Sequence, residues 1–258
     1  MQTVLFHSTI FGPIHSRRLG TSLGVNLMPR DGKVCTFDCL YCEAGFNAQG
    51  TGKAGLPSRA EVKAMLEEKL AAMHAAGDPL DVITFSGNGE PTLHPDFGGV
   101  IDDTIALRDK YYPEASVSVL SNSTRIDRPE VVAALRRVDN NILKLDSAID
   151  STIHALDRPT SPSFTADKVI GELAQFGPQC IIQTMILRGN YNGVNIDNTT
   201  DAEVDALIEA YKRIGPGEIM LYSIDRKTPW EQLQKVERDE LEQIAAKVRA
   251  AGFKVLVA

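Results

Sequence analysis

The stretch GVNLMPRDGKVCTFDCLYCEAG, residues 24–45, opens with a short apolar, strand-like run and closes on three of the chain's four cysteines. Cys35, Cys39 and Cys42 are spaced C-x3-C-x2-C. Three thiols cannot all pair in one disulfide framework, and three is one short of a four-thiolate zinc site. Clustered thiolates select soft metals, zinc or iron–sulfur. Structural zinc would need a fourth Cys or His brought in by folding, from a residue as distant as His15 or His94. A 4Fe–4S cluster held by three cysteines instead leaves one iron open to an exogenous ligand. Cys180 lies apart in the apolar run QCIIQTMIL and reads as a small buried hydrophobe.

On either side of this loop the chain alternates short β-branched runs with longer segments of helical periodicity. Strand-like runs are GVNLM (24–28), DVITFSG (81–87), SVSVLSN (116–122), NILKLDS (141–147), CIIQTMIL (180–187) and EIMLYSI (218–224), before a final FKVLVA. Helical segments fall between them, several with start and stop signals: Ser58 with Glu61 reads as a capping box, and Gly77, Gly177, Gly215 and Gly252 sit where helices should end. Six such steps imply a mostly parallel sheet with outer helices, either an open doubly wound sheet or a partial barrel. In both, chemistry gathers at the carboxyl ends of the strands. No linker or repeat interrupts the pattern, so a single domain over residues 1–258 is expected.

The net charge of −7 argues against a chain whose main task is coating nucleic acid, and no DNA partner is expected. The N-terminal segment lacks the features of a signal peptide and no run approaches a membrane span, so no membrane association and a reducing cytoplasmic setting are expected. No nucleophile elbow, HExxH or P-loop is present, which leaves hydrolytic and phosphoryl-transfer readings with little support.

CTFDCLYC resembles the C-x3-C-x-aromatic-C signature of radical S-adenosylmethionine (SAM) enzymes, with Tyr41 at the aromatic position. TFSGNGEPTLHPDF (84–97) looks like that family's glycine-glycine-glutamate motif, with Asn88 replacing the first glycine. FGPIHSRRLGTSLGVN (11–26), QTMIL and YSIDRKTP are similar to a subgroup related to the wybutosine-forming tRNA enzymes.

The resemblance implies an α/β fold, a partial (β/α)6 TIM-like barrel of the radical SAM type, with the segment 1–22 packing on it. It implies a 4Fe–4S cluster on Cys35, Cys39 and Cys42, and SAM bound by Tyr41, Ser86, Gly87, Asn88, Gly89, Glu90, Asn122, Asp146, Ser147 and Tyr222. The SAM ammonium would meet either the Glu90 carboxylate or main-chain carbonyls near 86–88. Gln183 and Met185 would line the adenine or substrate pocket, and Arg17 or Arg18 would neutralise a carboxylate or phosphate.

The implied reaction is reductive cleavage of SAM to methionine and a 5'-deoxyadenosyl radical, which abstracts hydrogen from an unidentified substrate. An oxidoreductase or lyase type of outcome follows, with electrons from a flavodoxin or ferredoxin. Substrate classes left open are RNA, a glycyl radical partner protein that the chain would activate, and a small molecule or peptide. A non-enzymatic zinc or iron–sulfur binding protein is the alternative of another class.

Overall fold

A computed structural model describes residues 4–16 and 20–258; Arg17 and Arg18 lie outside the described residues. Strand β1 (Ile10–Ser16) pairs antiparallel with β2 (Gly20–Val25). From β2 onward come β3 (Val82–Phe85), β4 (Ser116–Ser121), β5 (Asn140–Lys144) and β6 (Cys180–Met185). A three-stranded insertion begins with β7 (Leu187–Tyr191) and β8 (Val194–Asp197); β9 (Glu218–Tyr222), β10 (Leu233–Lys235) and β11 (Val255–Val257) follow. The large sheet runs β1-β2-β3-β4-β5-β6-β9-β11, and every pairing beyond β1·β2 is parallel. Its order begins at β1 and ends at β11, so it is open, the architecture of a partial barrel.

Helices α1 (Arg59–Ala76), α2 (Phe97–Tyr111), α3 (Pro129–Leu135), α4 (Asp150–Leu156), α5 (Ala166–Leu173), α6 (Asp201–Ile214) and α7 (Arg238–Ala250) alternate with these strands. The α1 helix shows why such segments fold: Ser58 and Glu61 form the expected capping box and Gly77 closes the helix at φ 74°. Its buried residues, Val62, Leu66, Leu70 and Met73, recur every three or four positions and so make one stripe. Among the described residues, no helix is long and apolar enough to cross a membrane.

Alternation along the strands separates two environments. Leu23, Val25, Ile83, Phe85, Leu143 and Ile182 join the apolar core. Their neighbours Ser22, Thr84, Leu120, Ile142, Gln183 and Met220 line an internal cavity.

Two strand boundaries differ from the sequence pattern. The first strand is Gly20–Val25 rather than 24–28, because Asn26 bonds Met28 through both its Nδ2 (3.1 Å to the carbonyl) and its Oδ1 (3.2 Å from the amide), a local turn that ends the ladder. The apolar run 180–187 is split at Ile186, whose N–H donates to the Tyr222 carbonyl at 2.8 Å while β7 leaves for the sheet β10-β7-β8. Buried Asn198 holds this corner, donating to the carbonyls of Met185 (2.7 Å) and Asp146 (2.8 Å) and accepting from the Leu187 amide at 2.9 Å.

Candidate functional site

The cysteine loop leaves β2 and is bound to the glycine turn that follows β3. Val34 pairs with Gly89 in a parallel bridge; the Val34 amide donates to the Asn88 carbonyl (3.1 Å) and the Glu90 amide to the Val34 carbonyl (3.0 Å). Glycine is required at 89 on two counts. Its φ is 145°, and a Cβ there would lie 1.9 Å from the Val34 carbonyl oxygen.

Within the loop, Cys39 is buried and Cys35 and Cys42 are half-buried; all three are free thiols. Burial, then the nearby Glu90 carboxylate, pushes the Cys35 thiol up to about 11, and burial also holds Cys39 well above the ordinary thiol range. Ionisation of these thiols therefore requires a cationic partner, which a bound metal supplies. Two ammonium groups flank them, one buried and one half-buried. Lys33 is 3% exposed and donates to the Gly45 carbonyl at 2.7 Å, with Asp38 at 3.8 Å. Lys144 lies 3.0 Å from Asp146, 3.6 Å from Asp157 and 4.4 Å from the Tyr41 ring centre. Burial alone would lower Lys144, but Asp146, Cys39 and Asp157 hold it well above its ordinary value. Among the described residues no three His, Cys, Asp or Glu side chains converge closely enough to hold one metal ion. The donor set is thus three thiols in one loop with compensating cations, which suits a multi-iron cluster taking one thiolate per iron.

Beside the loop lies the internal cavity of about 360 Å³. Tyr41 and Cys42 form part of its wall, Ser86 and Gly87 come from the glycine turn, and Tyr222 stands at the end of β9. Gln183, Met185 and His15 also line it, and the ion pair between Glu43 and Arg226 (2.6 Å) lies at its wall.

Of the ten residues expected to meet SAM, the structure places Tyr41, Ser86, Gly87 and Tyr222 on the cavity, whereas Asn88, Gly89, Glu90, Asn122, Asp146 and Ser147 do not line it. Each of the six is engaged elsewhere. Asn88 is fully buried and clamps the N-terminal segment, donating to the carbonyls of Phe6 and Pro29 (both 2.9 Å) and accepting from the Phe6 amide (2.8 Å). Gly89 is spent on the bridge to Val34.

The Glu90 carboxylate accepts from Thr92 Oγ1 (2.6 Å), the Thr92 amide (3.1 Å), Ser121 Oγ (2.8 Å) and the Asn122 amide (2.7 Å). Asn122 reaches Thr36 Oγ1 at 2.9 Å and Cys35 Sγ at 3.5 Å. Asp146 accepts from the Tyr41 hydroxyl, from Lys144 and, at 2.9 Å, from the Met185 amide. Ser147 turns toward α6, donating to Glu203 at 2.6 Å. His94 is a loop staple, its Nε2 2.7 Å from the Pro57 carbonyl.

Sequence reasoning missed Lys33, Asp157 and Asn198. Lys33 stands next to the cysteines in the quoted stretch, but its burial comes from long-range packing. Asp157 and Asn198 carry no local signal at all.

A family model described as the Radical SAM superfamily matches residues 31–192. A protein of Brachyspira hyodysenteriae named GTPase Obg is 27% identical over 238 residues, covering 91% of this chain and 32% of that protein. The chain therefore spans about a third of that relative's length. Among solved structures, a radical SAM methyltransferase from Sphaerobacter thermophilus superposes with a TM-score of 0.64 at 15% identity, over 92% of this chain and 65% of that one. The structure of TYW1 with a lysine–pyruvate adduct superposes with a TM-score of 0.57 at 15% identity, over 90% and 75% of the two chains. Both likenesses are of fold.

Proposed function

Given that this chain belongs to the radical SAM superfamily, with a 4Fe–4S cluster and SAM as its cofactors, we propose that it belongs to a subgroup related to the wybutosine-synthesis proteins, cleaves SAM reductively and abstracts a hydrogen atom from a substrate. The observation that carries this reading is the shared wall: Tyr41 and Cys42 of the cysteine loop face the same cavity as Ser86 and Gly87. Cys35, Cys39 and Cys42 would hold the cluster. When bound, the cluster supplies the electron that divides SAM into methionine and a 5'-deoxyadenosyl radical.

The chain's own residues bind, orient and exclude water. The Asn88 carbonyl is taken by Val34 and the Glu90 carboxylate already has four donors. That leaves the main chain at Ser86 and Gly87 to meet the SAM ammonium. Asp146 positions Tyr41 through its hydroxyl, and Asn122 orients the Cys35 end of the loop. Gly89 sets the loop's distance from the glycine turn, and Ser147 fixes the end of β5 against α6. Tyr222, on the cavity wall, would meet the adenine edge. Leu120, Ile142 and Met220 give the cavity an apolar floor, which keeps a reactive carbon radical from water.

The remaining assignments belong to the same reading. Residues 1–258 act as one radical SAM domain, its outcome is of oxidoreductase or lyase type, and a flavodoxin or ferredoxin in the cytoplasm supplies electrons. The substrate meets SAM in or at the edge of this cavity of about 360 Å³, which favours a small molecule or a single residue of a peptide.

The test is isotopic. Candidate substrates deuterated at the carbon to be attacked are incubated with the reconstituted enzyme and SAM. Deuterium is expected in 5'-deoxyadenosine; a turned-over substrate that leaves deoxyadenosine unlabelled would contradict hydrogen abstraction by this route.

A further inference from the structure

The cysteine loop borders a second cavity, of about 220 Å³, through Thr36. Its other walls are the turn after β4, with Ser123, Thr124 and Arg125, and the segment from Pro159 to Thr165 that leads into α5. The turn is held in an uncommon conformation, with Ser123 at φ 67° although it carries a side chain. Such geometry persists where surrounding contacts enforce it and is concentrated at ligand sites.

Arg125, Ser161, Ser163 and Thr165 offer donors to this cavity, whose lining also includes Lys168 and the carboxylates of Asp127 and Glu172. The Arg125 guanidinium makes no side-chain hydrogen bond or ion pair among the described residues, and its Nε is buried with no partner. A buried donor left unmatched costs roughly 1–3 kcal/mol, so native chains leave one where something else completes it. Ser161 and Ser163 bond each other at 2.9 Å, which occupies one of their two hydroxyl protons and leaves the second to donate. Thr165 Oγ1 accepts from the Lys168 amide at 3.3 Å, so its own proton is also uncommitted. Neither carboxylate of the lining forms an ion pair with Arg125 among the described residues: Glu172 pairs with Lys168 at 3.7 Å, and Asp127 faces solvent.

The geometry points to an oxyanion site, formed by Arg125, the Ser161–Ser163 pair and Thr165, for a phosphate group on a small molecule. A ligand that satisfies donors arriving from a turn, a loop and a helix start must be an acceptor on several sides. A phosphate is acceptor-only when ionised and matches a guanidinium. An occupant would sit against Thr36, whose carbonyl accepts from Thr160 N (2.9 Å) and Oγ1 (3.0 Å) and whose hydroxyl is bonded by Asn122 at 2.9 Å. Asn122 in turn touches Cys35, so the site adjoins the metal-binding loop without belonging to the SAM cavity.

Calorimetric titration of the purified chain with inorganic phosphate, and separately with acetate, tests this. Saturable phosphate binding is expected, weakened about tenfold or more in Arg125→Gln, because a charge-assisted bond is lost. Arg128→Gln, which removes an exposed charge nearby, should bind as the parent does. If Arg125→Gln fails to fold, Arg125→Lys keeps the charge but loses the fork and should still weaken binding. Absence of saturable phosphate binding, equal affinity in the Arg125 variant and the parent, or acetate binding more tightly than phosphate would each overturn the assignment.

Discussion

Cys39→Ala, reconstituted anaerobically with iron and sulfide, is expected to lose the bound cluster and all formation of 5'-deoxyadenosine. Cys39 is the most buried thiol of the loop, with the charges of Lys144 and Asp157 and the thiols of Cys42 and Cys35 acting on it. With three thiolates, one per iron, removal of one leaves two irons without a protein ligand, and the flanking cations Lys33 and Lys144 lose much of the negative charge that offsets their desolvation. Iron content, the visible absorption band and deoxyadenosine yield report the loss. Cys180→Ala is the control: this thiol is fully buried against the Gly177 carbonyl, outside the loop, and its removal should leave iron content unchanged. Retained turnover in Cys39→Ala would refute its role as a ligand.

Asp146→Ala is expected to destabilise the folded chain by about 3–5 kcal/mol, the usual cost of breaking a buried ion pair from one side. Asp146 is 1% exposed and gathers three donors from separate elements: the Tyr41 hydroxyl, Lys144 Nζ and the Met185 amide. Alanine leaves Lys144 with only Asp157, at 3.6 Å, and leaves a buried backbone N–H unmatched. Chemical denaturation measures the loss. The double variant Asp146→Ala, Lys144→Met should recover part of it, because the orphaned charge is gone. A double variant as unstable as the sum of the singles would mean that the two groups do not interact.

Much of the fold was legible because its elements are locally encoded. The seven mutually parallel strands fall on or overlap the apolar runs, FKVLVA included, and the capping box at Ser58 and the left-handed glycines at 77 and 215 mark helix ends in four or five residues of sequence. Gly177 was misread: it opens a short 3-10 turn at φ 50°, since α5 already ends at Leu173. The sheet β10-β7-β8 was not legible, because β7 and β10 lie more than 40 residues apart and β7 is continuous in sequence with an apolar strand.

At the site, the cysteines stood out by their spacing and the glycine turn by its resemblance to the family's motif. What spacing could not show is the direction of each side chain. Asn88 and Ser147 sit in motif positions yet point into hydrogen-bond partners from Phe6 and Glu203. Lys33 is a single lysine in a polar loop until folding buries it.

The central claim is that the cysteine loop and the adjoining cavity form one SAM-cleaving site. Anaerobic reconstitution, addition of dithionite and SAM, and quantification of methionine and 5'-deoxyadenosine test it most directly. The expected result is a brown protein with about four irons per chain that releases the two products in equal amounts. A colourless zinc protein, or an iron-loaded one that leaves SAM intact, would contradict it.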